Sequence, residues 1–337
     1  MQSELGEFEL IQRFFKTGAD AMLSLNDRSI SLGIGDDCAL LKLNPEETMA
    51  ITSDMLVEDR HFFANANPEW LGHKALAVNL SDLAAMGAKP IGFTLAISLP
   101  RVDLAWLEAF SKGLFALAHE YSCPLIGGDT TAGPLNICIT AFGSIPQGKA
   151  IKRSEAFPGN DIWVSGLVGD ARLVLAALRH ELTLPPKDLQ AIDARMHQPT
   201  PRIQLGMELR GIATAALDIS DGLLGDLKHI LTQSRVDAEI FLDRLPKSVT
   251  LQQQSESIQN EFAACGGDDY EICFTAPPDQ QNIIHDISKK LNLAITQIGR
   301  IKTMESSKPK IELLDQNGRV LSESKVAYLF KSFDHFA

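Results

Sequence analysis

The sequence predicts an α/β protein in two domains, and three observations carry that expectation. At 337 residues the chain is about twice as long as an ordinary domain of ~150 residues. In both halves, short apolar runs alternate with segments whose apolar residues recur every three or four positions, the pattern of strands and helices laid down in layers. Between the halves lies a turn-rich stretch, SIPQGKAIKRSEAFPGND at 144–161, which sets the expected domains at 1–148 and 149–337.

The elements follow in order. Phe8, Ile11, Phe14, Phe15 and Leu23 predict an N-terminal helix over 8–25. Met49 to Ile51 reads as a strand running into a polar turn, Thr52-Ser53-Asp54. Leu71, Ala75 and Val78 give a helix over 68–83 that carries Asn79, Ser81 and Asp82 near its C-terminal half, with Gly87 as its stop. A strand at 92–100 leads to a helix marked by Leu107, Phe110, Leu114, Leu117 and Tyr121; a strand at 124–128 ends in Gly-Gly-Asp-Thr-Thr, and another covers 135–143. The second half continues with strand 161–168, a helix to about Leu182 ended by Pro185 and Pro186, strand 212–219, helix 223–234 and strand 238–243. Strand 270–275, helix 280–291, strand 294–301 and an Asn317-Gly318 hairpin turn complete it.

Composition narrows the function classes. Apolar residues make up 45% and charged ones 22%, values that speak against disorder. Thirty-one Lys plus Arg against 43 Asp plus Glu leave a charge of −12, a field that repels nucleic acid and anionic lipid. A triphosphate would be repelled too unless divalent cations stood between it and the carboxylates. Five cysteines without a C-x-x-C pair read as buried thiols of a reducing compartment. The N-terminal MQSELGEFELIQRFF has acidic residues where a signal peptide needs basic ones, and the longest uncharged run, 130–148, is broken by Gly, Pro, Asn and Gln. The expectation is a cytoplasmic protein with no membrane segment.

Six places set Asp beside Gly, Ser or Thr: GIGDD at 33–37, TSD at 52–54, NLSD at 79–82, GGDTT at 127–131, DISDG at 218–222 and GGDD at 266–269. Magnesium takes hard oxygens and usually only one or two carboxylates per ion, so several ions need several aspartates. Gly lets backbone approach phosphate, and Ser or Thr adds a hydroxyl. Any one of the six alone reads better as a turn or a helix cap; six together, with apolar strands leading into at least three, favour a phosphate-handling metal site. GSIPQGKA at 143–150 imitates a phosphate loop, yet ends in Ala150 where a magnesium-binding hydroxyl belongs. It reads as an interdomain turn. A calcium loop is excluded by spacing.

GIGDDCALL, ITSD with His61 following, NLSDLAAMGAKP, LIGGDTT, DISDGL and GGDDYEICFT, in this order, resemble the thiamine-monophosphate kinase family, of the superfamily that includes aminoimidazole ribonucleotide synthetase. The resemblance runs from GEFELI at 6–11 to FDHFA at 333–337. It implies ATP-dependent phosphorylation of thiamine monophosphate to thiamine diphosphate by a homodimer whose N-terminal sheets pair. On this reading 1–148 binds ATP and magnesium and forms the dimer, while a C-terminal sheet covered by helices completes the active site. Carried over by motif, the ligands of several magnesium ions fall on Asp37, Thr52, Ser53, Asp54, Asp82, Asp129, Asp218 and Asp221, with Asp54, Asp82 and Asp129 as the catalytic group. Nucleotide contacts fall on Gly128, Asp129, Arg153 and Ser220, and thiamine-side contacts on His61, Asp268 and Phe333. Asp268 stands where many relatives carry Glu, and Phe333 where they often carry Trp or Tyr.

A phosphate monoester with a second pKa of about 6 is already mostly anionic near neutrality, so the expected mechanism is direct in-line transfer without a general base. Selenophosphate synthetase would show a reactive Cys with a Lys near the N-terminus, a context that neither Cys38 nor Lys16 has. The hydrogenase-maturation relative needs a C-terminal cysteine, where this chain reads His335-Phe336-Ala337. Aminoimidazole ribonucleotide synthetase is told apart by its formylglycinamidine substrate. A catalytically silent regulator on the same scaffold would lack one of the aspartates, and all are present.

Overall fold

The computed structural model describes residues 6–23 and 29–330. Phe333 lies outside them. By its internal contacts the chain divides into two units, one of residues 1–83 and 88–148, the other of 84–87 and 149–337.

The first unit opens with α1 (Glu7–Leu10), a π-helical turn (Ile11–Lys16) and α2 (Thr17–Leu23). The single helix expected over 8–25 is thus interrupted. The Thr17 N–H and hydroxyl both reach back five residues to the Gln12 carbonyl, and Phe14 and Phe15, neighbours in sequence, are both buried. A wider turn of this kind is a recognised insertion into α-helices. Two short strands, β1 (Ile30–Leu32) and β2 (Leu40–Leu41), form a ribbon around the Gly33–Asp37 loop.

The main sheet of this unit comprises β3 (Glu47–Val57), β4 (Lys89–Leu99), β5 (Leu125–Ala132) and β6 (Asn136–Pro146), in the order β3-β6-β4-β5. Two helices, α3 (Pro68–Ala85) and α4 (Leu104–Glu120), join its strands. The register of β3 with β6 is unbroken from Glu47↔Pro146 to Val57↔Asn136. Thr52-Ser53-Asp54 is therefore not a turn: ladder hydrogen bonds hold these polar residues within an eleven-residue strand. Gly127 to Thr131 likewise lies inside β5, parallel to β4. The expected interdomain turn at 143–150 begins as the last four residues of β6. Asp103 starts α4 by accepting the N–H groups of Ala105 and Trp106, the ordinary use of an N-cap carboxylate.

The second unit holds a six-stranded sheet. Its strands are β7 (Asp161–Ser165), β8 (Ala215–Asp218), β9 (Val236–Phe241), β10 (Ile272–Ala276), β11 (Ile295–Thr303) and β12 (Ile311–Leu314). Their order is β12-β9-β11-β7-β10-β8, antiparallel throughout except for the β12 to β9 pair. Its larger helices are α5 (Asp170–Leu178), α6 (Pro186–His197), α8 (Leu223–Ser234), α10 (Glu256–Cys265) and α11 (Gln281–Leu291). Shorter helical pieces are α7 (Ile203–Glu208), α9 (Val249–Gln252) and α12 (Glu323–Val326). Trp163, Phe274, Ile272 and Ile298 are fully buried along the sheet. The helix expected to reach Leu182 stops at Leu178, and Pro186 opens a further helix that the sequence pattern did not reveal. Proline is tolerated in a first turn, where its missing N–H has no intrahelical partner to lose.

Candidate functional site

In the first unit the candidate residues fall into two groups. The first lies where α3 runs beside the edge strand β3. Side chains alternate along a strand, so Thr52 and Asp54 share a face. The Thr52 hydroxyl donates to the Asp82 carboxylate, and the Asp54 N–H donates to the Asn79 side chain at 3.2 Å. Asn79 is wholly buried and is held by its own donation to the Ala75 carbonyl at 3.2 Å. Burial, and then the charge of Asp82, push the Asp54 carboxyl up from an ordinary 3.8 to about 6. Ser53 belongs to the opposite face: its hydroxyl meets Thr140 at 3.0 Å and donates to the Ile139 carbonyl at 3.3 Å. Its side chain does not join Thr52, Asp54 and Asp82.

The second group lies at the other edge of the same sheet. Gly128 and Asp129 on β5 share a cavity of about 1080 Å³ with Gly35, Asp36, Asp37 and Lys16. Lys16 donates to the Ile34 carbonyl at 2.8 Å and pairs with Asp20 at 3.1 Å, tying the N-terminal helices to the Gly33–Asp37 loop. Gly128 has φ +144°, and a Cβ there would overlap the Leu95 carbonyl of β4; only glycine permits this pairing. Gly128 lies in the row Leu95, Ile139, Asp54 across the sheet. Two strands, β6 and β4, therefore lie between Asp129 and Asp54, about 14 Å at ordinary strand spacing. Asp129 stands on the edge strand opposite β3, while Asp82 on α3 meets Thr52 of β3.

His61 sits in the turn after β3, where its Nδ1 accepts the Val57 N–H at 3.0 Å.

In the second unit, antiparallel pairing of β8 with β10, with Ile272 opposite Asp218, sets the loop leaving β8 beside the loop entering β10. The Asp268 N–H donates to the Ser220 carbonyl at 2.8 Å, Tyr270 N–H to Ile219 at 2.8 Å, and Ile219 N–H to Glu271 at 2.8 Å. DISDG and GGDDYE, about fifty residues apart in sequence, are thus stitched together, bringing Asp218, Ser220, Asp221 and Asp268 into one neighbourhood. Arg153 is half-buried, and its carbonyl accepts the Ser234 hydroxyl at 2.8 Å.

Two carboxylates not anticipated from the sequence hold this neighbourhood. A single oxygen of Asp226, on the first turn of α8, accepts the N–H groups of Ser220, Asp221 and Gly222, each at 3.1 Å. Burial, and then the charge of Asp221, still raise its pKa to about 7 against those donors. Glu271 is also buried, and although burial alone would raise its pKa, Arg202 and then Arg195 hold it below the usual carboxylate range. The sequence signal for Asp226 was present, an acid in the first turn of a helix that starts at glycine; Glu271 offered none beyond following GGDDY.

A divalent cation suits the chemistry of Thr52, Asp54 and Asp82. The donors are hard oxygens, and the neighbour that perturbs Asp54 is another carboxylate. Among the described residues no three His, Cys, Asp or Glu form a ready cage.

Comparison with known proteins supplies the family. Residues 35–145 match the AIR synthase related protein N-terminal domain, and residues 158–311 match its C-terminal domain. Thiamine-monophosphate kinase of Salmonella typhimurium is 44% identical over 334 residues, 98% of each chain. The crystal structure of thiamine-monophosphate kinase from Stenotrophomonas maltophilia aligns with a TM-score of 0.83 at 42% identity, covering 94% of this chain and 98% of that one. A complex of AaThiL with AMPPCP and TMP aligns with a TM-score of 0.74 at 29% identity, covering 98% and 97%.

Proposed function

The chain belongs to the AIR synthase related family and, within it, to the thiamine-monophosphate kinases, and from that premise we propose that it transfers the γ-phosphoryl group of ATP to thiamine monophosphate, forming thiamine diphosphate. The AaThiL complex, which holds an ATP analogue together with TMP, supports this pair of substrates. The observation within the chain that carries the reading is the meeting of Thr52, Asp54 and Asp82, where two carboxylates oppose one another in a partly desolvated place. Such an arrangement is costly unless a cation joins it.

Magnesium ions bound there would neutralise charge between the two polyanionic substrates, the largest need in phosphoryl transfer. Asp54, Asp82 and the Thr52 hydroxyl would hold one metal position, while Asp37 and Asp129 would serve another in the cavity beside Gly128. Asp218 and Asp221 would serve a third position in the second unit. Gly128 lets backbone come close to phosphate, and the Ser220 loop, pinned by Asp226, presents a further nucleotide contact; Arg153 would add a charged one. His61, Asp268 and Phe333 would serve the thiamine side. The acceptor phosphate is already anionic, so no side chain need remove a proton, and transfer runs in line from ATP to that oxygen. The β3 face that leaves Ile51 and Met55 largely exposed supports pairing of this sheet with that of a second copy, as a homodimer. The five free thiols suit a cytoplasmic enzyme, and no described helix is long and apolar enough to cross a membrane.

The decisive experiment is ADP release measured with and without thiamine monophosphate, with formylglycinamidine ribonucleotide as the competing acceptor. Release that depends on thiamine monophosphate alone is expected. Inversion at a chiral γ-phosphate would accompany in-line transfer, and retention would replace it with a phosphoenzyme route.

A further inference from the structure

The loop that carries Asp268 is held in an unusual backbone shape. Asp268 has φ +67° and Tyr270 has φ +50°, a left-handed conformation that residues with side chains seldom adopt and that persists only where the surroundings impose it. Two of the imposing groups alternate with them along the chain. The Asp269 carboxylate takes the Gly169 N–H on both oxygens, at 3.0 and 2.8 Å. Glu271 is 1% exposed and accepts four bonds: from the Ser165 hydroxyl at 2.6 Å, from Arg195 Nη2 at 2.7 Å, from Arg202 Nε at 2.7 Å, and from Arg202 Nη2.

We propose that Glu271, clamped by Arg195 and Arg202, is a positioning residue for the acceptor substrate: it fixes the Gly266–Tyr270 backbone and so aims Asp268. This rests on the reading of Asp268 as a contact for thiamine monophosphate. Three features carry it. First, all four acceptor sites of the carboxylate are filled, two of them by the planar fork of Arg202, so its orientation is determined and not merely its burial. Second, the fold makes room for it: Gly166 has φ +58°, and a Cβ there would run into the Glu271 carboxylate. Third, Glu271 is tied to strands on both sides, since its carbonyl accepts the N–H of Ile219, just after β8, while Ser165, its hydroxyl partner at the end of β7, accepts the N–H of Ile272 at 2.9 Å. A buried ion pair is a weak device for stability alone, because apolar side chains of the same volume often serve as well. Direction is what it supplies that they cannot. Tyr270 completes the path, donating its hydroxyl to Asp268 Oδ1 at 3.1 Å.

The test uses the full-length enzyme with Glu271→Gln, Arg202→Lys, Asp268→Ala and the double variant Asp268→Ala with Glu271→Gln. Michaelis constants for thiamine monophosphate and ATP are measured on samples whose folding is verified by circular dichroism. Glu271→Gln should raise KM for thiamine monophosphate at least fivefold and leave that for ATP within twofold. Arg202→Lys, which keeps the charge but not the fork, should give a smaller rise of the same kind. The double variant should show no rise beyond Asp268→Ala alone, because coupled residues are not additive. Ser165→Ala removes one donor and keeps every charge, and serves if Glu271→Gln does not accumulate as folded protein. A fall in kcat with both Michaelis constants unchanged would make the cluster purely structural and overturn the proposal. An Asp268→Ala enzyme with normal KM for thiamine monophosphate would instead remove Asp268 from the acceptor site, and the proposal with it.

Discussion

Replacing Asp54 by Asn should stabilise the metal-free protein while abolishing its activity. Asp54 titrates near 6 where an unfolded chain would give 3.8, so its ionised form is disfavoured in the folded state. The folded protein binds the proton more tightly, and the resulting destabilisation is absent below pH 4, grows between 4 and 6, and is complete above 6. A shift of about two units is worth at most ~3 kcal/mol; because the side chain keeps some contact with water, ~2 kcal/mol is the working figure after screening. Asn keeps the shape and drops the charge. In EDTA at pH 8, Asp54→Asn should therefore melt about 4–8 °C above the unsubstituted protein, at the usual 2–4 °C per kcal/mol for a domain of this size. At pH 4 the two should coincide within about 1 °C. Magnesium at millimolar concentration should close the gap at pH 8 by stabilising only the protein that retains the carboxylate. Thermal denaturation at the two pH values, with and without magnesium, measures all of this. An Asp54→Asn protein less stable than its parent at pH 8 in EDTA, or an advantage that does not change with pH, would refute the reasoning.

Three further outcomes follow from the same geometry. On the proposal that a cation joins Asp54, whose pKa is about 6, proton and metal compete there, and magnesium affinity measured by calorimetry should be roughly tenfold weaker at pH 5 than at pH 7. Gly128→Ala would drive a Cβ into the Leu95 carbonyl, so urea denaturation should show a loss of about 2–4 kcal/mol, with KM for ATP raised in whatever folds. Asp226→Ala leaves the N–H groups of Ser220, Asp221 and Gly222 without their acceptor and should cost about 2–3 kcal/mol in the same assay. Asp226→Asn keeps an acceptor oxygen and should lose under about 1 kcal/mol at pH 8.

Periodicity served best where an element has one chemical character along its length. The helices α4, α8 and α11 and the strands β6 and β10 were legible because their buried residues recur at a constant interval. It failed where polar residues or glycines sit inside an element. Thr52-Ser53-Asp54 reads as a turn by composition, and only the unbroken pairing with Ile139, Thr140 and Ala141 keeps it extended. Gly127 and Gly128 look like the end of a strand because glycine usually punctuates; here it lets β5 lie close against β4. The six aspartate motifs were visible, but their grouping was not. Nothing local says that Thr52 meets Asp82, 30 residues on, or that Asp129 lies at the far edge of the sheet. Arg195 and Arg202 reach Glu271 from 76 and 69 residues away, a distance at which only the fold can introduce them.

Glu271 and Asp54 are shifted in opposite directions, and the contrast follows from what surrounds each. Glu271 is surrounded by charged donors and is held ionised below its ordinary range; it already has every partner that it needs. Asp54 is pushed the other way, by burial and then by the charge of Asp82, a condition that a cation would relieve. Asp226 tests the distinction, since it accepts three backbone N–H groups and is raised nonetheless, burial and then the Asp221 charge outweighing them. Neutral donors satisfy geometry without cancelling charge. A cation drawn to Asp221 would therefore ease Asp226 as well, and would lock the Ser220 loop at the moment it is needed. Metal binding in this unit should on that account tighten the loop, and slower amide exchange at Ser220, Asp221 and Gly222 in magnesium than in EDTA is the expected sign.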